Sequence, residues 1–293
     1  MNRAKAIFLP ISFFARRVGL LCELSKAALS LAVVFSAAVG FILGSHGHTD
    51  KVMLIWTLAG IALAAGGANG FNQWWERNID GLMTRTSRRP LPSGRMSSAQ
   101  AYSIAFALLL GGMFILTWKC NSLTATLTLA NAALYVFVYT PLKRRSCACT
   151  LIGAVVGAMP PVIGWAAAAG SIGAPAWVLA ALLFTWQIPH FLSLAWIHRE
   201  EYRRAGLCVL PAIDRAERLT FILILLYSLT LMPVALAVSL MGMAGVTYAV
   251  GAMALGIWAG YLGGQFLRHR TVAQARRVFL GGLIYLPLLF SLM

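Results

Sequence analysis

Apolar residues run along the chain in nine stretches, each close to the length a helix needs to cross about 30 Å of hydrocarbon. They lie at roughly 27–43, 52–70, 101–118, 123–141, 151–169, 176–196, 219–240, 245–266 and 278–293, with polar residues crowded into the gaps. The pattern predicts an all-α, polytopic membrane protein with about nine transmembrane helices. Residues 27–293 read as a single nine-helix domain, preceded by a cytoplasmic or interfacial segment at 1–26. Within that segment the apolar piece AIFLPISFFA is interrupted by Pro10 and followed by Arg16 and Arg17 instead of a small-residue cleavage site, which favours an interfacial segment over a signal sequence.

Composition agrees: 60% of residues are apolar and 11% charged, and the mean hydropathy is +0.78, far outside the range of soluble globular chains. The basic residues also set a direction. Of 24 Lys and Arg, 22 fall in the tail before the first stretch and in every second loop after it, and only Lys51 and Lys119 fall in the opposite loops. Lys and Arg near span ends favour the cytoplasmic side, so the amino terminus is expected there and the carboxyl terminus across the membrane. The same loops hold most of the net charge of +16. With no separate soluble domain to carry it, the charge is explained by topology and anionic lipid, not by nucleic acid. The five cysteines contain no CxxC pair and read as structural.

The segment NQWWERNIDGLMTRTSRRPLPSGR (72–95) sits at the end of the second stretch and carries acids, an amide and five arginines. Asn72, Glu76 and Asp80 recur every fourth residue with no proline or glycine among residues 72–80. On a continuing helix they share a face and form a ladder about 12 Å tall. Such a ladder suits Mg²⁺, a hard cation that prefers oxygen ligands and shares its shell with water and phosphates. Arg85, Arg88, Arg89 and Arg95 follow, and the guanidinium fork matches phosphate oxygens. Metal plus anion points to a diphosphate; acids and bases simply pairing at the water surface is the plain alternative. Ser97 and Gln100 have the spacing of a capping box opening the third span. A second cluster, WQIPHFLSLAWIHREEYRRAGLCVLP (186–211), and a third, YTPLKRR (139–145), lie on the same side by the charge argument, so the three loops can enclose a cavity open to the cytoplasm and to lipid.

The stretch NQWWERNIDGLMTRTSRRPL resembles the first polar motif of the UbiA-type intramembrane prenyltransferases, in the form carried by their heme-directed branch, and YTPLKRR, GAMPPVIGW and WQIPHF with EEYRRAGLCVLP resemble further signatures of that branch in the same order. The resemblance extends over nearly the whole chain beyond residue 20. It implies nine helices around a central cavity and a Mg²⁺-dependent transfer of farnesyl from farnesyl diphosphate to a vinyl group of heme B, with water adding to give heme O. It further implies that Asn72, Glu76 and Asp80 hold Mg²⁺ with Glu201 contributing from the opposite loop, and that Arg85, Arg88, Arg89, Lys143 and Arg144 clamp the diphosphate. Trp75, Tyr139, Trp186 and Phe191 are candidates to face an allylic cation, with ordinary packing as the alternative for each. Gln187 and His190 belong to the same WQIPHF segment; His190 is a candidate heme ligand or substrate-orienting group, or a histidine satisfied by a neighbouring helix.

Two departures from the family pattern stand out. After LKRR the family usually has a threonine and, three residues later, an asparagine, where this chain has Ser146 and Cys149; and four residues after Glu201 comes Ala205 instead of an aspartate. Two other readings compete: a UbiA-type enzyme acting on an aromatic quinone precursor, disfavoured by WQIPHF and RTSRRP, and an organic-anion transporter, disfavoured by the absence of a clear internal repeat. The expected location is a bacterial cytoplasmic membrane, with the mitochondrial inner membrane as alternative. A heme A synthase or a terminal oxidase assembly is the partner such a product implies.

Overall fold

A computed structural model describes residues 15–293; the AIFLPISFFA segment, apart from its last residue, lies outside them. Among the described residues nine helices are long and apolar enough to span a membrane: α1 (Ala27–Gly44), α2 (Lys51–Asp80), α3 (Ser98–Lys119), α4 (Ser122–Leu142), α5 (Cys149–Ala169), α6 (Ala174–Ile197), α7 (Arg218–Leu240), α8 (Val246–His269) and α9 (Val272–Ser291). The nine apolar stretches all appear, each a little longer than its apolar core because polar residues continue the helix into the interface. Caps mark several starts: the Asp50 side chain accepts from the backbone of Val52 and Met53 ahead of α2, and Ser97 and Gln100 form the expected capping box ahead of α3.

The helices pack in two groups. In the first, α2 lies against α3 and α1, and α4 fills the space between α3 and α5; in the second, α6 is flanked by α7 and α9, with α8 closing the outer side. Contacts of α1 with α5 and of α5 with α6 join the groups. The largest apolar core, with Val162, Leu179, Leu182, Leu231, Tyr248 and Leu289, lies among α5 to α9. Without a hydrophobic force between helices in lipid, close approach depends on small residues. On α1 and α5 this is extreme: a Cβ at Gly40 would overlap the Pro161 carbonyl oxygen, and one at Gly164 would overlap that of Ala37.

Two features position the site. The 30 residues of α2 make it about 45 Å long, more than the hydrocarbon requires, so its last turns carry the polar ladder to the membrane edge. In α4 the turn Leu134–Tyr139 is π-helical, and the Thr140 hydroxyl donates to the Tyr135 carbonyl oxygen (2.8 Å). A π turn adds a residue to the helix circumference and is common at functional sites; here it stacks the rings of Tyr135 and Tyr139, 5.5 Å apart, on the side of α4 that meets α2.

Candidate active site

A cavity of about 220 Å³ opens where the end of α2, the loop after it, the end of α4, the start of α5 and the second half of α6 converge. Its charged lining is Lys26, Glu76, Asp80, Arg85, Arg89 and Lys143. Four cations face two carboxylates, an excess of two positive charges in a partly enclosed space, which favours an anion. The apolar lining includes Ile79, Met83, Leu192, Leu207 and Val209, and the aromatic rings present are Tyr139, Phe191 and Tyr202.

The helical spacing of the ladder holds, because α2 runs unbroken to Asp80, and Asn72, Glu76 and Asp80 are all buried. Each carboxylate has its own cation: Lys143 Nζ donates to Glu76 Oε1 at 2.8 Å and Arg89 Nη1 to Asp80 Oδ2 at 2.7 Å. Lys143 also sits 4.5 Å over the Tyr139 ring. Burial is the largest single influence and works against the Lys143 charge, but the charge and hydrogen bond of Glu76, together with Tyr139 and Tyr135, outweigh it and hold the ammonium well above the usual lysine value. Asn72 does not face the cavity as the carboxylates do; its amide accepts from Lys26 Nζ (2.6 Å) and donates to Thr140 Oγ1 (2.9 Å).

Of the expected diphosphate clamp, the structure brings Arg85, Arg89 and Lys143 to the cavity, whereas Arg88 and Arg144 are exposed and do not line it. Arg85 donates to the Tyr202 hydroxyl at 3.3 Å. Glu201 is not on the cavity wall either: its neighbour Tyr202 is, while one oxygen of Glu201 is buried without a hydrogen-bond partner and the other lies 4.0 Å from His198 Nδ1. Burial and nearby Arg85 push the His198 pKa down, so that contact is not an ion pair at neutral pH. Among the described residues no three His, Cys, Asp or Glu side chains converge as a metal cage.

The aromatic set divides as well. Tyr139 and Phe191 line the cavity; Trp75 is 44% exposed and does not line it. Trp186 and His190 line a smaller cavity among α6, α7, α8 and α9, with the imidazole between the Trp186 and Phe279 rings (centroids 5.0 and 4.5 Å) and Nδ1 3.1 Å from the Phe279 carbonyl oxygen. A carbonyl oxygen accepts, so this bond places the proton on Nδ1. Gln187 is buried against Gly157 of α5 and donates to the Leu183 carbonyl. Their shared WQIPHF motif does not place these residues together because consecutive helical positions face different sides. Cys149, where the family pattern has asparagine, is buried on the cavity wall.

Lys26 is the charged cavity residue that motif reading missed. In the sequence its charge reads as one of the basic residues that set topology, and nothing local ties residue 26 to residue 72. Burial, with the charges of Arg89 and Lys143, pushes its ammonium down to about 7.

Comparison with known proteins gives the lineage. The sequence pattern described as the UbiA prenyltransferase family matches residues 33–289. The protoheme IX farnesyltransferase of Solibacter usitatus is 42% identical over 280 residues, covering 92% of this chain and 96% of that protein. The human mitochondrial protoheme IX farnesyltransferase is 40% identical over 279 residues, covering 94% of this chain and 61% of that protein. Among solved structures, one described as digeranylgeranylglyceryl phosphate synthase superposes with a TM-score of 0.77 at 15% identity, over 94% of this chain and 96% of the other. A UbiA homolog from Archaeoglobus fulgidus bound to GPP and Mg²⁺ gives 0.69 at 16% identity, over 93% and 99%. Likeness at such identity speaks for the fold alone, but the sequence matches go further: the chain belongs to the UbiA prenyltransferase family, among the protoheme IX farnesyltransferases.

Proposed function

We propose that this chain transfers the farnesyl group of farnesyl diphosphate to a vinyl group of protoheme IX, with addition of water, giving heme O and diphosphate. The observation that carries the reading is the polar cavity, where two carboxylates one helical turn apart on α2 stand among four cations at the end of a membrane helix. Arg85, Arg89 and Lys143 supply the positive charge that receives the diphosphate. Glu76 and Asp80 would hold Mg²⁺ there: two hard oxygen donors, short of a complete cage, suit an ion that keeps substrate phosphates and water in its shell. So bound, Mg²⁺ would supply Lewis-acid neutralisation of the departing diphosphate.

When the allylic carbon–oxygen bond breaks, its electron pair leaves with diphosphate, and Arg85, Arg89 and Lys143 stabilise the charge that develops. The ring of Phe191 on the cavity wall is electron-rich and can stabilise the allylic cation, whereas Tyr139 is already stacked on Tyr135 and covered by Lys143. Ile79, Met83, Leu192 and Leu207 keep that region dry until the vinyl π electrons form the new carbon–carbon bond. The cation this leaves beside the porphyrin takes water and loses a proton, completing the hydroxyethylfarnesyl side chain. The bias of Lys and Arg toward one set of loops supports a reading in which the cavity opens to the cytoplasmic side of a bacterial inner membrane.

The test is to incubate the purified protein in detergent with heme B, farnesyl diphosphate and Mg²⁺ and to look for heme O by chromatography and mass. Product that disappears on chelation and in Glu76→Gln and Asp80→Asn supports the reading. Pyrophosphate release with an aromatic acceptor but no heme O would transfer the assignment to a quinone-type substrate.

A further inference from the structure

The residues just ahead of α1 are strapped onto the site at several points. Gln73, on α2 beside Asn72, donates from Nε2 to the carbonyl oxygens of Glu23 (2.6 Å) and Leu24 (2.9 Å). Arg95, in the loop after α2, grips both Glu23 oxygens (3.0 and 2.5 Å). Leu24 is fully buried against Met96 and Ala101, and Ser30 donates to the Ser25 carbonyl (2.8 Å). The result of this fastening is the backbone of Lys26, held at φ 48°, ψ 59°. A side chain other than glycine enters that left-handed region at a cost of roughly 1–2 kcal/mol, a strain that persists only when the surroundings over-determine it.

The strain delivers one ammonium to the cavity. Lys26 Nζ donates to Asn72 Oδ1 at 2.6 Å and to the Tyr135 hydroxyl at 3.3 Å, and Tyr135 donates onward to Asn69 Oδ1 (3.1 Å). An ammonium has three protons, so one remains for a ligand. Of the four cavity cations, Arg89 and Lys143 are matched by Asp80 and Glu76, while Lys26 and Arg85 pair with no carboxylate among the described residues. The excess positive charge of the cavity is therefore carried by Arg85 and by Lys26 in its ammonium form.

The same contacts bear on Asn72. A divalent cation at Oδ1 would lie beside an ammonium already bonded to that oxygen, and like charges at such range repel strongly in a buried site. We propose that Lys26 is a diphosphate-binding residue delivered by the strapped segment, and that Asn72 is its positioning residue and not a metal ligand. This rests on the reading of the cavity as a prenyl diphosphate site.

The test uses the full chain in detergent, with calorimetric titration of farnesyl thiodiphosphate, a slow-reacting analogue, and Mn²⁺ binding by electron paramagnetic resonance in its absence. Lys26→Met and Asn72→Ala should each weaken analogue binding about tenfold or more, the loss of one charge-assisted contact. Both should keep wild-type Mn²⁺ affinity, which Glu76→Gln should lose, and Lys26→Arg should restore most of the analogue binding. Wild-type analogue affinity in Lys26→Met would overturn the inference alone. So would loss of Mn²⁺ in Asn72→Ala, which would make Asn72 a ligand, or in Lys26→Met, which would make the lysine structural. Failure of the wild-type chain to bind the analogue would instead overturn the diphosphate reading, and this inference with it.

Discussion

Lys143 Nζ lies 2.8 Å from Glu76 Oε1, and this contact ties the loop after α4 to the last turns of α2. The two side chains are only 16% and 9% exposed, so each charge depends on the other. Removing one partner of such a pair leaves an uncompensated charge, whereas removing both does not.

Lys143→Met should therefore destabilise the protein by about 2–4 kcal/mol, and the double variant Lys143→Met/Glu76→Gln should recover at least half of that loss. Thermal unfolding in detergent measures both. Heme O formation should be lost in all three backgrounds, the two singles and the double, because stability and charge placement are separate demands on the same atoms. A double variant no more stable than Lys143→Met would refute the pairing argument.

Contact between α1 and α5 depends on glycine at positions where even a methyl group has no room. Gly40→Ala and Gly164→Ala should each cost about 1–3 kcal/mol through forced separation of the helices, read as a lower unfolding temperature. Gly264→Ala, at a position with open space around it, should be neutral or slightly stabilising.

The Arg95 hydrogen bonds hold the Glu23 carboxyl below the usual glutamate range, against a small opposing effect of burial. A carboxylate with a lowered pKa contributes stability that is present above its unfolded value and lost as pH falls through the folded one. Both groups are substantially exposed, so the contribution is modest. Hydrogen-exchange protection of residues 15–26, corrected for intrinsic rates, should stay constant from neutral pH down to the ordinary glutamate value of about 4.3 and fall only below it. Arg95→Ala should show the reduced protection at every pH.

The charge asymmetry predicts an orientation that labelling can read. In a cysteine-depleted background in intact bacterial cells, an impermeant maleimide should modify His48→Cys, between α1 and α2, and leave Ser87→Cys, after α2, unmodified until the membrane is opened. The reverse pattern would place the cavity on the outer face.

Ser97 and Gln100 show how far local sequence reaches: the capping box was legible because both partners lie three residues apart and depend on nothing else. The α2 ladder was legible for the same reason, since a helix without breakers fixes which residues share a face. The clamp was only half legible. Arg85 and Arg89 reach the cavity while Arg88 does not, because the loop after α2 is a series of turns whose directions depend on contacts such as Arg89 with Asp80 and Arg95 with Glu23. Glu201 and Tyr202 are adjacent in sequence, yet it is Tyr202 that meets Arg85.

The sequence by itself determined the class and lineage of this protein: a hydropathy signal set by the thickness of the bilayer, a charge asymmetry, and motifs specific enough to identify a family. Those properties reside in spacing along one chain segment at a time. Tertiary structure alone decided that Lys26 meets Asn72 across 46 positions, that Lys143 meets Glu76 across 67, and that His190 faces a different cavity from Phe191 beside it. Each depends on how helices rotate and cross, which is settled by packing of small residues and by buried charges finding partners, and neither is written in any local pattern.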